Sequence, residues 1–304
     1  MNVLITGITG YIGSRLAPRL VRDGHSVRGL SRHPGRTEGD LPVLAGDAVT
    51  GVGLREALDG IDAAYFLIHS MEPSRNGPFA ARERAAAENF TRAAQAAGTR
   101  RIIYLGGLLP PGGPVSAHLA SRLEVEQTLL AASPASVALR ASIVIGARSR
   151  PFRFLVRLVE RLPVVPMPGW RDRRTSPIDE RDMIEILARA LDNEDVSGRT
   201  LDAAGPEEVT YRELIERIRD HLLLGRPTIG LGRIEATPIA SRIAAIIAGE
   251  TYELIGPLMG SLATDLLAGE ARAAELLGVR LHSLDAAIEH ALRDWEATEP
   301  LAAR

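Results

Sequence analysis

The chain has 304 residues, of which 45% are hydrophobic, and a formal net charge of −2. It is long enough for a sizeable core in one extended domain or two lobes, and its charge disfavours a nucleic-acid binder, which usually carries a basic excess. The absence of cysteine excludes disulfides, thiolate metal sites and cysteine nucleophiles. All 36 basic side chains other than histidine are arginine, so no reaction step here can use a lysine.

Strands and helices alternate through the first half of the chain. The predicted strands are residues 3–6, 26–30, 42–45, 63–68, 101–105 and 136–145, and the predicted helices are 11–23, 53–58, 77–97 and 117–132. This spacing predicts an α/β fold, a Rossmann-type doubly wound parallel sheet whose strand ends and loops share one rim.

After Gly146 the pattern becomes mainly helical. Helices are predicted at 152–162, 180–191 and 210–223, with short strands at 175–178 and 200–203. Thr210 and Glu213 have the spacing of a capping box, and Ser283 opens a last helix. We therefore predict an NAD(P)-binding domain over 1–150 and a smaller C-terminal lobe over 151–304 on the substrate side, with about 175–205 packing back on the Rossmann core.

Three glycines follow the first strand at Gly-x-x-Gly-x-x-Gly spacing and open the first helix. Gly7 permits a sharp turn, Gly10 lets a pyrophosphate approach the backbone, and Gly13 lets the helix pack closely on the sheet. The start of the helix adds free amides and partial positive charge. The predicted phosphate cradle consists of Gly7, Thr9, Gly10, Tyr11, Ile12 and Gly13. The alternative is a glycine-rich turn with a purely structural use.

The residues after the second strand favour NADP(H) over NAD(H). An NAD-binding fold usually places Asp or Glu there, on the ribose hydroxyls, whereas this chain has Ser31 and Arg32, with Arg36 nearby. A charge-assisted contact between Arg32 and a 2′-phosphate is worth about 1.5–3 kcal/mol. The alternative is that these arginines are solvated loop charges.

Further cofactor contacts are expected along the rim. Asp47, followed by Ala48, can accept from the adenine amino group, or it caps a loop. Ile68 and His69 lie where the fourth strand meets the rim and Gly106 directly follows the fifth, beside the ribose–nicotinamide half of a dinucleotide. The alternative for His69 is a buried histidine bonded to a carbonyl.

These residues resemble the short-chain dehydrogenase/reductase superfamily in its extended and atypical branches, and the resemblance covers roughly residues 1–215. It rests on the glycine spacing after Thr6, on Gly46-Asp47, and on segments 65–71, 87–90, 104–108, 116–125, 139–143, 177–178 and Trp170. The atypical branch is also similar to nitrogen-regulator-like NADP sensors and to an accessory subunit of respiratory complex I, which bind the cofactor without clear turnover.

The resemblance implies a catalytic Tyr and, four residues later, a Lys, but the matching positions hold His118 and Arg122. The serine that the reductases carry after the fifth strand is replaced within Gly106-Gly107. The spacing puts His118 and Arg122 on one helix face. An ordinary imidazole, with a pKa of about 6.5, is a usable acid without lysine. Arg122 can hold ribose hydroxyls or a substrate anion. The alternative for His118 is a cap or packing residue.

Three functions remain open from the sequence. The first is an NADPH-dependent oxidoreductase acting on a carbonyl or activated double bond of a small organic substrate, with His118 as proton donor. The second is an NADP(H)-binding sensor or assembly subunit without turnover, and the third is a nucleotide-sugar epimerase or dehydratase. Residues 238–267 are apolar enough for a lipid-like pocket, a homodimer face or plain core.

Location and partners follow from what the chain lacks. No apolar run reaches the length of about 18 residues that a membrane span needs, and no basic region precedes the short apolar start that ends at Gly7, as it would in a signal peptide. We therefore expect a cytoplasmic protein with a small-molecule substrate, no nucleic-acid partner and no metal.

Overall fold

The computed structural model describes residues 1–36, 41–68, 79–110, 112, 116–167, 169–230, 264–299 and 301. His69 and most of segment 238–267 lie outside these residues. The strands are β1 Asn2–Thr6, β2 Ser26–Ser31, β3 Val43–Ala45, β4 Ala63–Phe66, β5 Arg101–Gly107, β6 Val137–Ala141, β7 Val144–Ile145, β8 Val165–Met167, β9 Arg174–Thr175, β10 Ile178–Asp179, β11 Thr200–Asp202, β12 Val209–Thr210 and β13 Thr228–Gly230.

Nine α-helices occur within the described residues. They are α1 Tyr11–Arg22, α2 Leu54–Leu58, α3 Phe79–Ala97, α4 Ala117–Leu130, α5 Arg150–Arg161, α6 Glu180–Arg189, α7 Tyr211–His221, α8 Ala273–Leu276 and α9 Leu284–Glu296. The predicted capping box is present, because the Thr210 hydroxyl accepts from the Glu213 amide while the Glu213 side chain reaches back to the Thr210 amide. The hydroxyl of Ser283 caps α9 as expected.

Seven parallel strands form the central sheet, in the order β3-β2-β1-β4-β5-β6-β11. The order reverses at β1, whose last residue Thr6 pairs with Leu30 of β2 on one side and Phe66 of β4 on the other. In such sheets the ligand crevice lies beyond the carboxyl ends of the strands at this reversal. The predicted Rossmann-type fold is confirmed.

One strand prediction was wrong. Residues 136–145 do not form a single strand, because the chain leaves the central sheet after Ala141. Ser142 donates its hydroxyl to the Ser176 carbonyl at 2.7 Å, and the Ile178 amide donates to the Ile143 carbonyl at 3.0 Å. The next two residues then pair as β7 with β10. The predicted strand at 175–178 is correspondingly split into β9 and β10.

Successive residues of the central strands face opposite sides of the sheet and enter two separate cores. Val3 and Ile5 pack with α1 and α6, whereas Leu4 packs with α2, α3 and α4. A third core joins α5, α7 and α9, with Trp295 at 0% exposure. No helix in the described part of the chain is both long and apolar enough to cross a membrane.

Candidate functional site

The glycine turn between β1 and α1 is shaped by close backbone approaches. Gly7 has φ +73°, and a Cβ there would lie 2.9 Å from the Leu67 carbonyl oxygen. A Cβ on Gly13 would lie 2.4 Å from the Gly7 carbonyl oxygen. Only glycine fits both positions, so the first turn of α1 lies directly against the end of β1.

The first turn of α1 suits an anion. The N-cap is Gly10, which has no side chain to cap the helix amides, and no acidic residue lies in the first turn. The opening amides of a helix have no partner within the helix and carry partial positive charge. Thr9 and Gly10 are exposed. The predicted cradle is therefore open to a ligand and can hold the pyrophosphate of a dinucleotide.

The end of β2 is joined to the cradle by packing. A Cβ on Gly29 would lie 2.6 Å from a methyl of Ile8, so Ile8 fills the space that Gly29 leaves. Two residues later the Ser31 hydroxyl accepts from the His33 amide at 3.1 Å, and Arg32 is exposed. Ser31 is the last residue of β2 and Arg32 follows it, at the strand end near which the adenosine ribose of a cradle-bound dinucleotide is expected.

Asp47 shapes its own loop. Its Oδ1 accepts from the Val49 amide at 2.8 Å. Asn89 on α3 donates its side-chain amide to the carbonyls of Ala48 at 3.1 Å and Val49 at 2.9 Å. This fixed loop follows β3, at the same edge of the sheet as the end of β2, so the turn role and a contact with adenine are compatible.

The structure describes two of the three residues that were predicted to lie beside a nicotinamide. Ile68 is half-buried just beyond β4. Gly106 lies near the end of β5, where a Cβ would be 2.8 Å from the Tyr104 ring. His69 follows Ile68 in the sequence and remains an untested prediction.

His118 lies in the first turn of α4, at the carboxyl edge of the sheet. The Ser116 hydroxyl caps this helix by accepting from the Leu119 amide at 3.2 Å. Leu119 packs with Leu108, just after β5, and with Leu266 from the C-terminal part of the chain. The half-buried His118 ring lies 5.6 Å from the Phe79 ring, centroid to centroid. The imidazole therefore sits beside the start of α3, while the next residue, Leu119, packs near the end of β5.

Arg122 is 5% exposed and lies in a polar network between α3, α4 and β5. Its Nη1 donates to Glu83 Oε1 at 3.0 Å, and its Nε donates to the Tyr104 hydroxyl at 2.8 Å. Ser121 donates to the other Glu83 oxygen at 3.0 Å. Burial raises the pKa of Tyr104 to about 12, against the lowering effect of Arg122. The role predicted for Arg122, holding ribose hydroxyls or a substrate anion, remains untested.

Two further contacts each pair an arginine with a glutamate on a helix. Arg140 on β6 pairs with Glu126 on α4, since its Nε and Nη2 donate to this carboxylate at 2.8 and 2.6 Å. Glu83, which holds Arg122, was missed, because no local pattern marks a helical glutamate as the partner of a distant arginine.

The Tyr11 side chain forms a second unforeseen cluster. A Cβ on Gly146 would lie 1.9 Å from the Tyr11 hydroxyl and 2.3 Å from Glu180 Oε2. Burial, followed by the charge of Glu180, raises the pKa of Tyr11. Arg15 pairs with Glu180 at 3.0 Å and also with Asp294 on α9. The N-terminal half of α1 is thus tied to α6 and α9.

Comparison with known proteins also points to a nicotinamide dinucleotide as the ligand. Residues 7–142 match a family model described as NAD(P)H-binding. An uncharacterized protein of Mycobacterium tuberculosis is 26% identical over 246 residues, which are 81% of this chain but 25% of that protein. The matching part therefore spans only about a quarter of the mycobacterial relative.

A named relative and a solved structure extend the comparison. The ceramide reductase of Caulobacter vibrioides is 28% identical over 175 residues, covering 56% of this chain and 55% of the enzyme. The structure of UDP-glucuronic acid 4-epimerase from Bacillus cereus, in complex with UDP-glucuronic acid and NAD, superposes with a TM-score of 0.74 at 17% identity. That superposition covers 98% of this chain and 100% of the epimerase, and it shows a shared fold. Across the described residues, no group of three or more His, Asp or Glu side chains suits a metal ion.

Proposed function

We propose that this chain, an atypical NAD(P)-binding protein like the short-chain dehydrogenases/reductases, is an NADP(H)-dependent oxidoreductase that reduces a carbonyl or activated double bond of an apolar small molecule. The observation that carries the proposal is the position of His118. Its imidazole lies on the first turn of α4, the helix that follows β5, at the same sheet edge as the open cradle at the start of α1.

NADP(H) is the proposed cofactor because the end of β2 offers donors and a positive charge. Ser31 and Arg32 stand where a carboxylate would accept from ribose hydroxyls, and residues 31–36 contain no Asp or Glu. A 2′-phosphate can accept from the Arg32 guanidinium, whereas a carboxylate at that position would repel it.

His118 is the proposed proton donor. When bound, the reduced nicotinamide supplies hydride to the substrate carbon. The protonated imidazole then gives its proton to the substrate oxygen, or to the carbon next to the one that receives hydride in an activated double bond. An imidazole titrates near neutral pH and needs no lysine to lower its pKa. Arg122 cannot shuttle protons at neutral pH, so its proposed role is positional.

An apolar substrate is proposed from two facts. Segment 238–267 carries many large aliphatic side chains, and the Caulobacter relative is a ceramide reductase. Leu266, at the end of that segment, packs on Leu108 and Leu119 beside the turn that bears His118. An apolar surface at this place would bury a lipid-like chain and leave its carbonyl or activated double bond facing the imidazole.

The test measures NADPH oxidation in the presence of a panel of long-chain ketones and enones, with the loss of reduced-nicotinamide absorbance as the readout. His118→Ala should lower kcat by about 10²–10⁴-fold and leave NADPH affinity unchanged. The control is His290→Ala on α9, which should retain full turnover. A His118→Ala variant as active as the parent would refute the catalytic assignment.

A cofactor-binding sensor or assembly subunit is the second candidate. It is favoured by Arg122, which occupies the lysine position of the reductases yet bonds to Glu83 and Tyr104. This candidate predicts tight NADP(H) binding, no turnover on any substrate, and a partner protein whose affinity changes with the cofactor. Turnover of any substrate excludes it. Isomerisation of a nucleotide sugar without net NADPH oxidation would instead indicate the epimerase class, to which the Bacillus cereus neighbour in fold belongs.

A further inference from the structure

Helices α3 and α4 pack side by side, and two of their cross-helix contacts lie one helical turn apart. The Phe79 ring meets the His118 ring, and the Glu83 carboxylate meets the Arg122 guanidinium. Phe79 and Glu83 are four residues apart on α3, as are His118 and Arg122 on α4. Residues with this spacing lie one above the other on a single helix face.

The contact between Glu83 and Arg122 is buried and bonded on several sides. The two side chains are 3% and 6% exposed, and their closest atoms are 3.0 Å apart. Ser121 donates to the second Glu83 oxygen. Tyr104 on β5 accepts from Arg122 Nε at 2.8 Å and donates to the Arg122 carbonyl at 3.3 Å. The pair therefore fixes α3, α4 and β5 together at one point.

We infer that Glu83 and Arg122 are positioning residues for His118, because their buried pair allows only one sliding position of α3 along α4. A shift of one residue moves a helix by about 1.5 Å along its axis, which would break these bonds and leave a buried charge without its partner. The inference rests on the proposed role of His118 as the proton donor. Arg122, at the position of the family's lysine, would then orient His118 through bonds inside the protein, whereas the lysine contacts the nicotinamide ribose.

The chemistry of arginine explains its presence at this position. Arg122 uses Nε for Tyr104 and Nη1 for Glu83, two acceptors in different directions. A lysine ammonium is a single point charge on a flexible stem and cannot reproduce this planar arrangement. We therefore expect that Arg122→Lys, although it restores the family's residue, loosens the α3–α4 contact.

The experiment compares Glu83→Gln and Arg122→Lys with the control Arg84→Gln. Arg84 pairs with Glu124 between the same two helices, with Nη2 and Oε2 2.9 Å apart, but these side chains are 52% and 40% exposed. The readouts are the carbon-13 chemical shifts of the His118 imidazole, assigned with His118→Ala, together with NADPH affinity and kcat. Thermal unfolding confirms that each variant is folded.

Glu83→Gln and Arg122→Lys should each shift the His118 resonances and lower kcat by about 10²-fold, the cost of a misplacement of about 1 Å, with NADPH affinity unchanged. Arg84→Gln should change none of these. His118 resonances that are unmoved in both folded variants would overturn the inference, whatever the activity. Full turnover in His118→Ala would instead overturn the proposed function. The His118 resonances of Glu83→Gln and Arg122→Lys would still test whether the buried pair positions the imidazole.

Discussion

Replacing Gly13 by alanine tests the cradle at its tightest contact. The new Cβ would lie 2.4 Å from the Gly7 carbonyl oxygen and 2.9 Å from the Ile8 Cα, both backbone atoms that cannot rotate away. To reach an ordinary contact of 3.4 Å, α1 must move from the end of β1 by about 1 Å. The opening amides of α1 then move by the same amount relative to a bound phosphate.

The magnitude follows from the bonds that this movement breaks. A hydrogen bond stretched from about 2.9 Å by a further 1 Å no longer qualifies as one. Each amide-to-phosphate bond contributes about 1.5 kcal/mol at the lower end of its range. Losing two of them costs about 3 kcal/mol, which weakens NADPH binding by roughly 100-fold.

The assay is a fluorescence titration with NADPH and NADH, on protein whose folding is checked by its unfolding midpoint. The matched control is Gly225→Ala, because an added Cβ there meets nothing within 4 Å. It should bind NADPH like the parent. If Gly13→Ala is folded and its affinity lies within about threefold of the parent, a change too small to reflect one lost charge-assisted bond, the cradle assignment is wrong.

Three further predictions concern cofactor choice, packing and pH. Arg32→Ala should weaken NADPH binding by about 10–100-fold and leave NADH binding unchanged; an equal loss for both would exclude a 2′-phosphate contact. Gly146→Ala should destabilise the fold by about 1–3 kcal/mol, and adding Tyr11→Phe should recover part of this in urea unfolding, because the nearest clashing atom is the Tyr11 hydroxyl; strictly additive effects would contradict the clash. The Thr210 amide holds the pKa of Glu213 below its ordinary 4.5, so this capping contribution is present above that pH and is lost as the pH falls through the lowered value. Glu213→Ala should cost about 1 kcal/mol at neutral pH and less in acid, and a cost independent of pH would refute the charged cap.

The parts of the fold that depend on local signals could be predicted from the sequence. The glycine spacing located the turn at Gly7 and the start of α1 at Tyr11, because a strand end, a tight turn and a helix start each leave a mark within a few residues. The caps at Thr210 and Ser283 are equally local. The alternation of strands and helices was enough to predict the parallel sheet.

The parts that depend on distant segments could not be predicted. Seven of the ten residues in 136–145 are apolar. The bonds to the carbonyl of Ser176 and from the amide of Ile178, both far along the chain, reveal where the strand breaks. The spacing of His118 and Arg122 placed both on one helix face. It could not show that Glu83, on another helix, holds Arg122 within the protein. The division at residue 150 and the suggested dimer remain predictions.

Strand β11, the last of the central sheet to be synthesised, has a consequence for folding on the ribosome. β11 pairs with β6 in the register Thr200↔Ala138 and Asp202↔Arg140, so one side of β6 stays open until residues 200–202 have emerged. At about 5–20 residues per second, the roughly 60 intervening residues take several seconds to add. An unpaired strand edge is a template for wrong partners. Codon changes or substitutions that delay the stretch between β6 and β11 should therefore lower the soluble yield, even where the finished protein is as stable as before.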